Sequence, residues 1–172
     1  MNTDLIFLIG FMGCGKTTAG KKLAATFELP FIDLDQRLEA QEGAIPSLIE
    51  NHGEAYFRLR ESELLKELKG EKGIVATGGG TPCYFDNLQW MKAHGTVVYL
   101  QATPAFLFSR LKQTDLSKRP LLKGLNDEQL ISFIEKKLEE RQPFYHQAHL
   151  IVDAAKPETF KNALHSLRHS DR

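Results

Sequence analysis

Short apolar runs alternate with longer amphipathic stretches along this chain. Leu5–Ile9 is the first run and reads as a buried strand. Phe31-Ile32-Asp33, after Pro30, predicts a second, and Ile74-Val75-Ala76-Thr77 a third that is stopped by Gly78-Gly79-Gly80. Val97-Val98-Tyr99-Leu100 and Leu150-Ile151-Val152 predict the fourth and fifth. Between them, Thr17 to Phe27 has helical character, and Leu64, Leu65 and Leu68 recur at helical spacing, as do Leu130, Ile131, Ile134 and Leu138. Asn126 suits an N-cap, and Pro157 a first-turn proline of a C-terminal helix. Strands this short and apolar, separated by helices, predict an α/β fold: three layers, with a five-stranded parallel sheet between helices. Ligands of such sheets gather at the carboxyl ends of the strands.

Two segments depart from the alternation. Residues 34–61 are helix-rich, with breaks near Gly43–Pro46 and at Gly53. Residues 112–125 hold Lys118-Arg119-Pro120 and Gly124 with little apolar periodicity, which predicts a mobile lid. No repeat, low-complexity tract or linker divides the chain, so residues 1–172 form one domain with two appendages. Lys+Arg and Asp+Glu are both 22, which argues against attraction to nucleic acid or an anionic membrane. No apolar run reaches membrane-spanning length. The N-terminal run lacks a basic flank, so it is read as a strand and not as a signal peptide.

Gly10-Phe11-Met12-Gly13-Cys14-Gly15-Lys16-Thr17 follows the first strand and opens the first helix. In that setting G-x-x-x-x-G-K-T is a phosphate loop: backbone N–H groups turn inward, Lys16 reaches the β- and γ-phosphates, and the Thr17 hydroxyl ligates Mg²⁺. Gly13, Cys14, Gly15, Lys16, Thr17 and Thr18 are therefore the candidate triphosphate-binding set. The helix directs its positive end at the same anion. A disulfide at Cys14 would obstruct the loop, so Cys14 and Cys83 predict a reducing, cytoplasmic setting.

Asp33 and Asp35 fall at the end of the second strand, beside the loop. One could hold a metal-bound water and the other a substrate hydroxyl; equally, Asp35 could cap the helix that follows. Because the third strand ends in glycines and not in an acid, Asp33 is the best remaining candidate near Mg²⁺. Gly78, Gly79 and Gly80 would let a ligand approach bare backbone. Taken alone, Arg58 and Arg141 read as surface residues before site residues: an exposed i,i+3 pair with Glu61 explains the first, and dipole compensation at a helix C-terminus the second. Lys118 and Arg119 have the position of cations that arrive over a γ-phosphate. The six histidines form no ligand-like cluster and are expected to be solvated.

Six motifs in order carry a specific resemblance. They are the phosphate loop, Asp33-Leu34-Asp35, Gly53-Glu54-Ala55-Tyr56-Phe57-Arg58, Thr77-Gly78-Gly79-Gly80, Arg119-Pro120-Leu121-Leu122, and Arg141-Gln142-Pro143-Phe144-Tyr145. Together they resemble the shikimate kinases, in the nucleoside-monophosphate-kinase-like group of phosphate-loop enzymes. The resemblance implies a P-loop kinase fold with a substrate-binding helical segment and a lid, and ATP-dependent phosphorylation of the shikimate 3-hydroxyl in chorismate and aromatic amino-acid biosynthesis. It implies Arg58 and Arg141 on the shikimate carboxylate, Asp35 on its hydroxyls, and Gly78, Gly79 and Gly80 against its ring. Asp33 is implied near Mg²⁺, Arg119 on the ATP phosphates, and Arg110, Lys156 and Pro157 about the adenine.

The expected enzyme is a monomer using ATP and Mg²⁺, with Lys16, Asp35 and Arg119 as the catalytic set. A gluconate or nucleoside monophosphate kinase is the nearest rival, and a non-catalytic nucleotide-binding module the more distant one. Cys14 stands where the family commonly has Ser or Ala. Its place at a helix N-terminus near Lys16 predicts an alkylatable thiol that MgATP protects.

Overall fold

The computed structural model describes residues 5–170, with the side chains of 118, 157 and 165–170 outside that description. Five strands form one all-parallel sheet, β1 (Leu5–Ile9), β2 (Phe31–Asp33), β3 (Gly73–Ala76), β4 (Thr96–Gln101) and β5 (Leu150–Asp153), in the order β2-β3-β1-β4-β5. β1 is central: Leu8 is in register with Ala76 on one side and Val98 on the other. Every residue of β1 and β3 is buried, as a parallel strand covered on both faces requires.

Helix α1 (Lys16–Phe27) packs on β2 and β3. Gly20 is needed there, because a Cβ would stand 2.5 Å from the Phe31 ring. The helix-rich segment resolves into α2 (Leu34–Glu42), α3 (Ile45–His52) and α4 (Glu54–Glu67), broken at Gly43 and Gly53 as the sequence predicts. α5 (Asn87–His94) packs on β4, α6 (Pro104–Lys112) pairs with α7 (Asp127–Tyr145), and α8 (Pro157–Ser170) lies on β5. Asn126 caps α7 through a full capping box with Gln129.

Two expectations need correction, the bounds of the third strand and the solvation of the histidines. Strand β3 runs from Gly73 to Ala76, not from Ile74 to Thr77; Thr77 instead donates both its N–H (3.2 Å) and its hydroxyl (3.0 Å) to the Leu8 carbonyl. The segment 112–125, expected as a lid, carries some order of its own. It contains a 3-10 turn (Leu116–Lys118), its Leu122 is fully buried, and Lys112 and Asp127 bridge its base at 2.7 Å. Not all the histidines are solvated: His149 is half-buried and accepts from the Val97 N–H at 3.0 Å, and half-buried His94 stacks on Trp90. The side chains of His165 and His169 lie outside the described residues.

Candidate active site

The carboxyl ends of β1, β2 and β3 deliver the loop, the acids and the glycines to one edge of the sheet. Gly15 occupies the N-cap position of α1 with φ +100°, a left-handed conformation that glycine adopts without strain. Gly10 has φ +146°, and a Cβ there would lie 2.8 Å from the Leu100 carbonyl oxygen. Lys16 is folded over this loop, donating to the carbonyls of Gly10 (2.6 Å) and Phe11 (3.1 Å). Its ammonium therefore closes the space into which the loop's N–H groups turn.

Three cavities run in series along this edge. The first, about 150 Å³, is bounded by Gly15, Thr18, Arg110, Val152, Asp153 and Ala154. The second, about 270 Å³, holds Gly13, Lys16, Thr17, Asp33, Asp35 and Arg119. The third, about 390 Å³, holds Asp35, Arg58, Arg141, the three glycines and Arg119. Gly15, Thr18 and Arg110 belong to both the first and second, and Asp35, Gly78, Gly79 and Arg119 to both the second and third. A nucleoside, its phosphates and an acceptor would thus lie in a line, with Asp35 and Arg119 at the second junction.

The acids divide their roles differently from one expectation. Asp33, not Asp35, caps α2: its Oδ1 accepts from the Gln36 N–H at 3.2 Å. Its other oxygen accepts from the Thr17 hydroxyl at 3.3 Å. Asp35 sits in the first turn, facing the cavities. Burial among the cleft walls, then the charges of Glu61 and Asp33, push its carboxyl up to about 6 against the pull of Lys16, with Glu39 adding to the rise. Its side chain still meets solvent in the open cleft, which tempers that push.

Arg58 and Arg141 are not surface residues, since both are only 8% exposed. The pair of Arg58 with Glu61 forms as the i,i+3 spacing predicts, at 3.0 Å, but it is buried. Burial alone would lower the Arg58 guanidinium; Glu61, Tyr84 and Glu54 outweigh it and hold its pKa above the usual value. α7 continues through Pro143, so Arg141 is not at the helix terminus and lies over the Phe11 ring at 5.5 Å. Its buried Nη1 has no hydrogen-bond partner among the described residues. A buried donor left this way is costly; no solvent reaches this atom, while Arg141 as a residue lines the third cavity.

The three glycines have one explanation that sequence did not supply. A Cβ on Gly78 would meet Glu61 at 2.7 Å and Asp35 at 3.2 Å, one on Gly79 would meet Arg141 at 3.1 Å, and one on Gly80 would meet Arg58 at 2.7 Å. Each glycine is bare so that a charged group can lie on the backbone. Tyr145, whose hydroxyl donates to the Gly79 carbonyl at 2.6 Å, fixes that backbone from behind.

Arg110 borders the first and second cavities. Lys156 does not line the first; Asp153 and Ala154 do, because β5 delivers them to its rim. The side chains of Pro157 and Lys118 lie outside the described residues. Cys14 is 2% exposed and packs into the core, so the expected ready alkylation is not supported by its position. Cys83 is half-buried, and burial pushes its thiol up to about 11 against the pull of Arg141 and Arg58. Sequence reasoning took Glu61, three residues from Arg58, only as its exposed partner, and passed over Thr81, for which local sequence offered no signal.

A family model described as shikimate kinase matches residues 12–169. The chain is 46% identical over 155 residues to the shikimate kinase of Bacteroides fragilis, which covers 89% of this chain and 86% of that protein. It superposes on the crystal structure of shikimate kinase from Bacteroides thetaiotaomicron with a TM-score of 0.88 at 39% identity, covering 96% of this chain and 98% of that one. Shikimate kinase from Acinetobacter baumannii in complex with shikimate matches with a TM-score of 0.83 at 34% identity, over 99% and 95% of the two chains.

Proposed function

The chain belongs to the shikimate kinase family and is a kinase, and we propose that it transfers the γ-phosphoryl group of ATP to the 3-hydroxyl of shikimate. Buried Arg58 and Arg141, which line one cavity together with Asp35 and the three bare glycines, carry this reading. Two forked cations suit a carboxylate, and an acid beside them suits a hydroxyl. The third cavity also holds Asp35, Glu39, Glu54 and Glu61. A phosphate-bearing acceptor such as a nucleoside monophosphate would meet that acidic wall, which favours a monocarboxylate.

ATP is held with its base in the first cavity, beside Arg110, Asp153 and Ala154. The loop N–H groups and Lys16 hold its phosphates. Asp35 orients the acceptor hydroxyl by accepting its hydrogen bond, and Arg119 neutralises charge on the transferred group. Thr17 and Asp33 offer adjacent oxygen donors at the phosphate cavity, and no cage of three or more His, Cys, Asp or Glu exists among the described residues. That donor set suits Mg²⁺ bound mostly through phosphate oxygens and water. When bound, the ion supplies charge neutralisation on the β- and γ-oxygens. Both cysteines are unpaired, which supports work in a reducing cytoplasm. No helix among the described residues is long and apolar enough to cross a membrane.

A coupled ADP-release assay over shikimate, its methyl ester, gluconate and AMP tests the acceptor. Shikimate is expected to be used, and its ester to lose at least about a hundredfold in kcat/KM because two desolvated guanidiniums go unmatched. Equal turnover of gluconate or AMP would overturn the reading. The ester is a cleaner probe than Arg58→Ala, which would leave Glu61 buried without its cation.

Gly80→Ala provides a second check. Its methyl would press on Arg58, which cannot retreat, being held by Glu61 and by the Tyr84 ring 4.3 Å from its guanidinium carbon. Overpacking of about 1–3 kcal/mol should raise the shikimate KM by roughly tenfold or more, with the ATP KM unchanged. An unaltered shikimate KM would mean that Arg58 is not the carboxylate anchor.

A further inference from the structure

We propose that Thr81 is a positioning residue for acceptor recognition: by fixing Glu61, it fixes the fork of Arg58 that receives the acceptor carboxylate. The inference rests on the proposed function. Thr81 opens the 3-10 turn after the three glycines and is fully buried. Its hydroxyl donates to Glu61 Oε1 at 2.6 Å, while the other oxygen of Glu61 accepts from Arg58 Nη1 at 3.0 Å. Each carboxylate oxygen thus has one assigned donor, and the carboxylate cannot turn without losing one of them.

Arg58 needs such a reference. Gly80 beneath its guanidinium and the Tyr84 ring nearby set the plane of the group. Rotation within that plane is left to its charged partners: Nη1 donates to buried Glu61 at 3.0 Å, while Nε lies a longer 3.5 Å from exposed Glu54. Thr81 is itself held rigidly. Its N–H donates to the Gly78 carbonyl at 3.2 Å, and its carbonyl accepts from Asn87 Nδ2 at 2.9 Å. Asn87 in turn accepts from the buried Ser62 hydroxyl at 2.6 Å. The chain of contacts runs from the start of α5 to α4 and ends at the cavity wall. Thr81 does not line the acceptor cavity, so any effect it has on the acceptor must pass through Glu61 and Arg58.

Thr81→Val keeps the shape and removes the donor. Relative to the parent enzyme, the shikimate KM should rise roughly tenfold, as loss of a hydrogen bond to a charged group implies. The ATP KM should stay within about twofold, since Thr81 touches no residue of the phosphate loop, and so should kcat measured at about pH 8, where Asp35 is ionised whatever the charge of Glu61 contributes to it. The preference for shikimate over its methyl ester should shrink, because the fault lies in carboxylate recognition. Thr81→Ser, which retains the hydroxyl, should return all values to those of the parent. If far-UV circular dichroism shows the Val variant unfolded, Thr81→Ala takes its place in the same comparison. An unchanged shikimate KM in the folded variant overturns the inference, as does an equal rise for acid and ester, or a Ser variant as impaired as Val. A parent enzyme that does not phosphorylate shikimate overturns the proposed function first, and the inference with it.

Discussion

Lys16→Met is expected to lower kcat by about 10²–10³-fold, the range for losing one preorganised charge-stabilising donor, while shikimate binds as before. Lys16 lines the phosphate cavity and not the acceptor cavity, so the two properties should separate. Its ammonium now donates to two loop carbonyls, Gly10 and Phe11. On nucleotide binding the same group is the nearest cation that can turn from those carbonyls to the phosphates. Methionine preserves the stem but leaves both carbonyls without their donor in a nearly buried place, so a lower Tm should accompany the loss. Calorimetric titration with shikimate distinguishes the effects: a parent-like Kd in a folded variant places the defect on the phosphates. A variant retaining more than about a tenth of the parent kcat would remove Lys16 from the catalytic set.

The sheet and its loop were legible in the sequence because each carries a local signal. β1 is a run of five buried apolar residues, and the phosphate loop follows it directly. Capping was legible in type but not always in position. Asn126 fulfils its expected N-cap, whereas the cap of α2 is Asp33 and not Asp35, a shift of two residues being enough to exchange two acids of the same chemistry. The arginines were harder. Nothing around Arg58 or Arg141 in sequence distinguishes a solvated side chain from a buried one, because their burial comes from the glycine turn 22 and 61 residues away, counting from Gly80. For the same reason Glu61 and Thr81, 20 residues apart, could not be seen as a pair. The rim of the first cavity was less legible: the resemblance pointed to Lys156 there, while the short turn after β5 brings Asp153 and Ala154 to it.

Asp35→Asn should lower kcat by about 10²–10⁴-fold, as loss of a positioned general base does, and should do so without loss of fold. The pH dependence makes the assignment sharper than the rate alone. With its carboxyl raised to about 6, the parent should show an acidic limb in kcat/KM near that value, activity rising as Asp35 ionises. The Asn variant should lack the limb, its residual rate staying flat through the same range. Stability should move in the opposite direction. A raised folded-state value means that the protonated acid is favoured by folding; this contribution is complete below the ordinary carboxylate value of 3.8 and is lost as pH rises through about 6. Above that point the parent holds an ionised Asp35 among Glu61, Asp33 and Glu39, relieved mainly by Lys16. The Asn variant holds no such charge, so its Tm should exceed that of the parent at pH 7.5 and converge with it below pH 4. The gain should be small, because Asp35 still meets solvent in the open cleft. A variant with near-parental kcat would leave Asp35 as a first-turn residue of α2 favoured only by the helix dipole. A variant that keeps the acidic limb in its residual rate would assign the titration to another group.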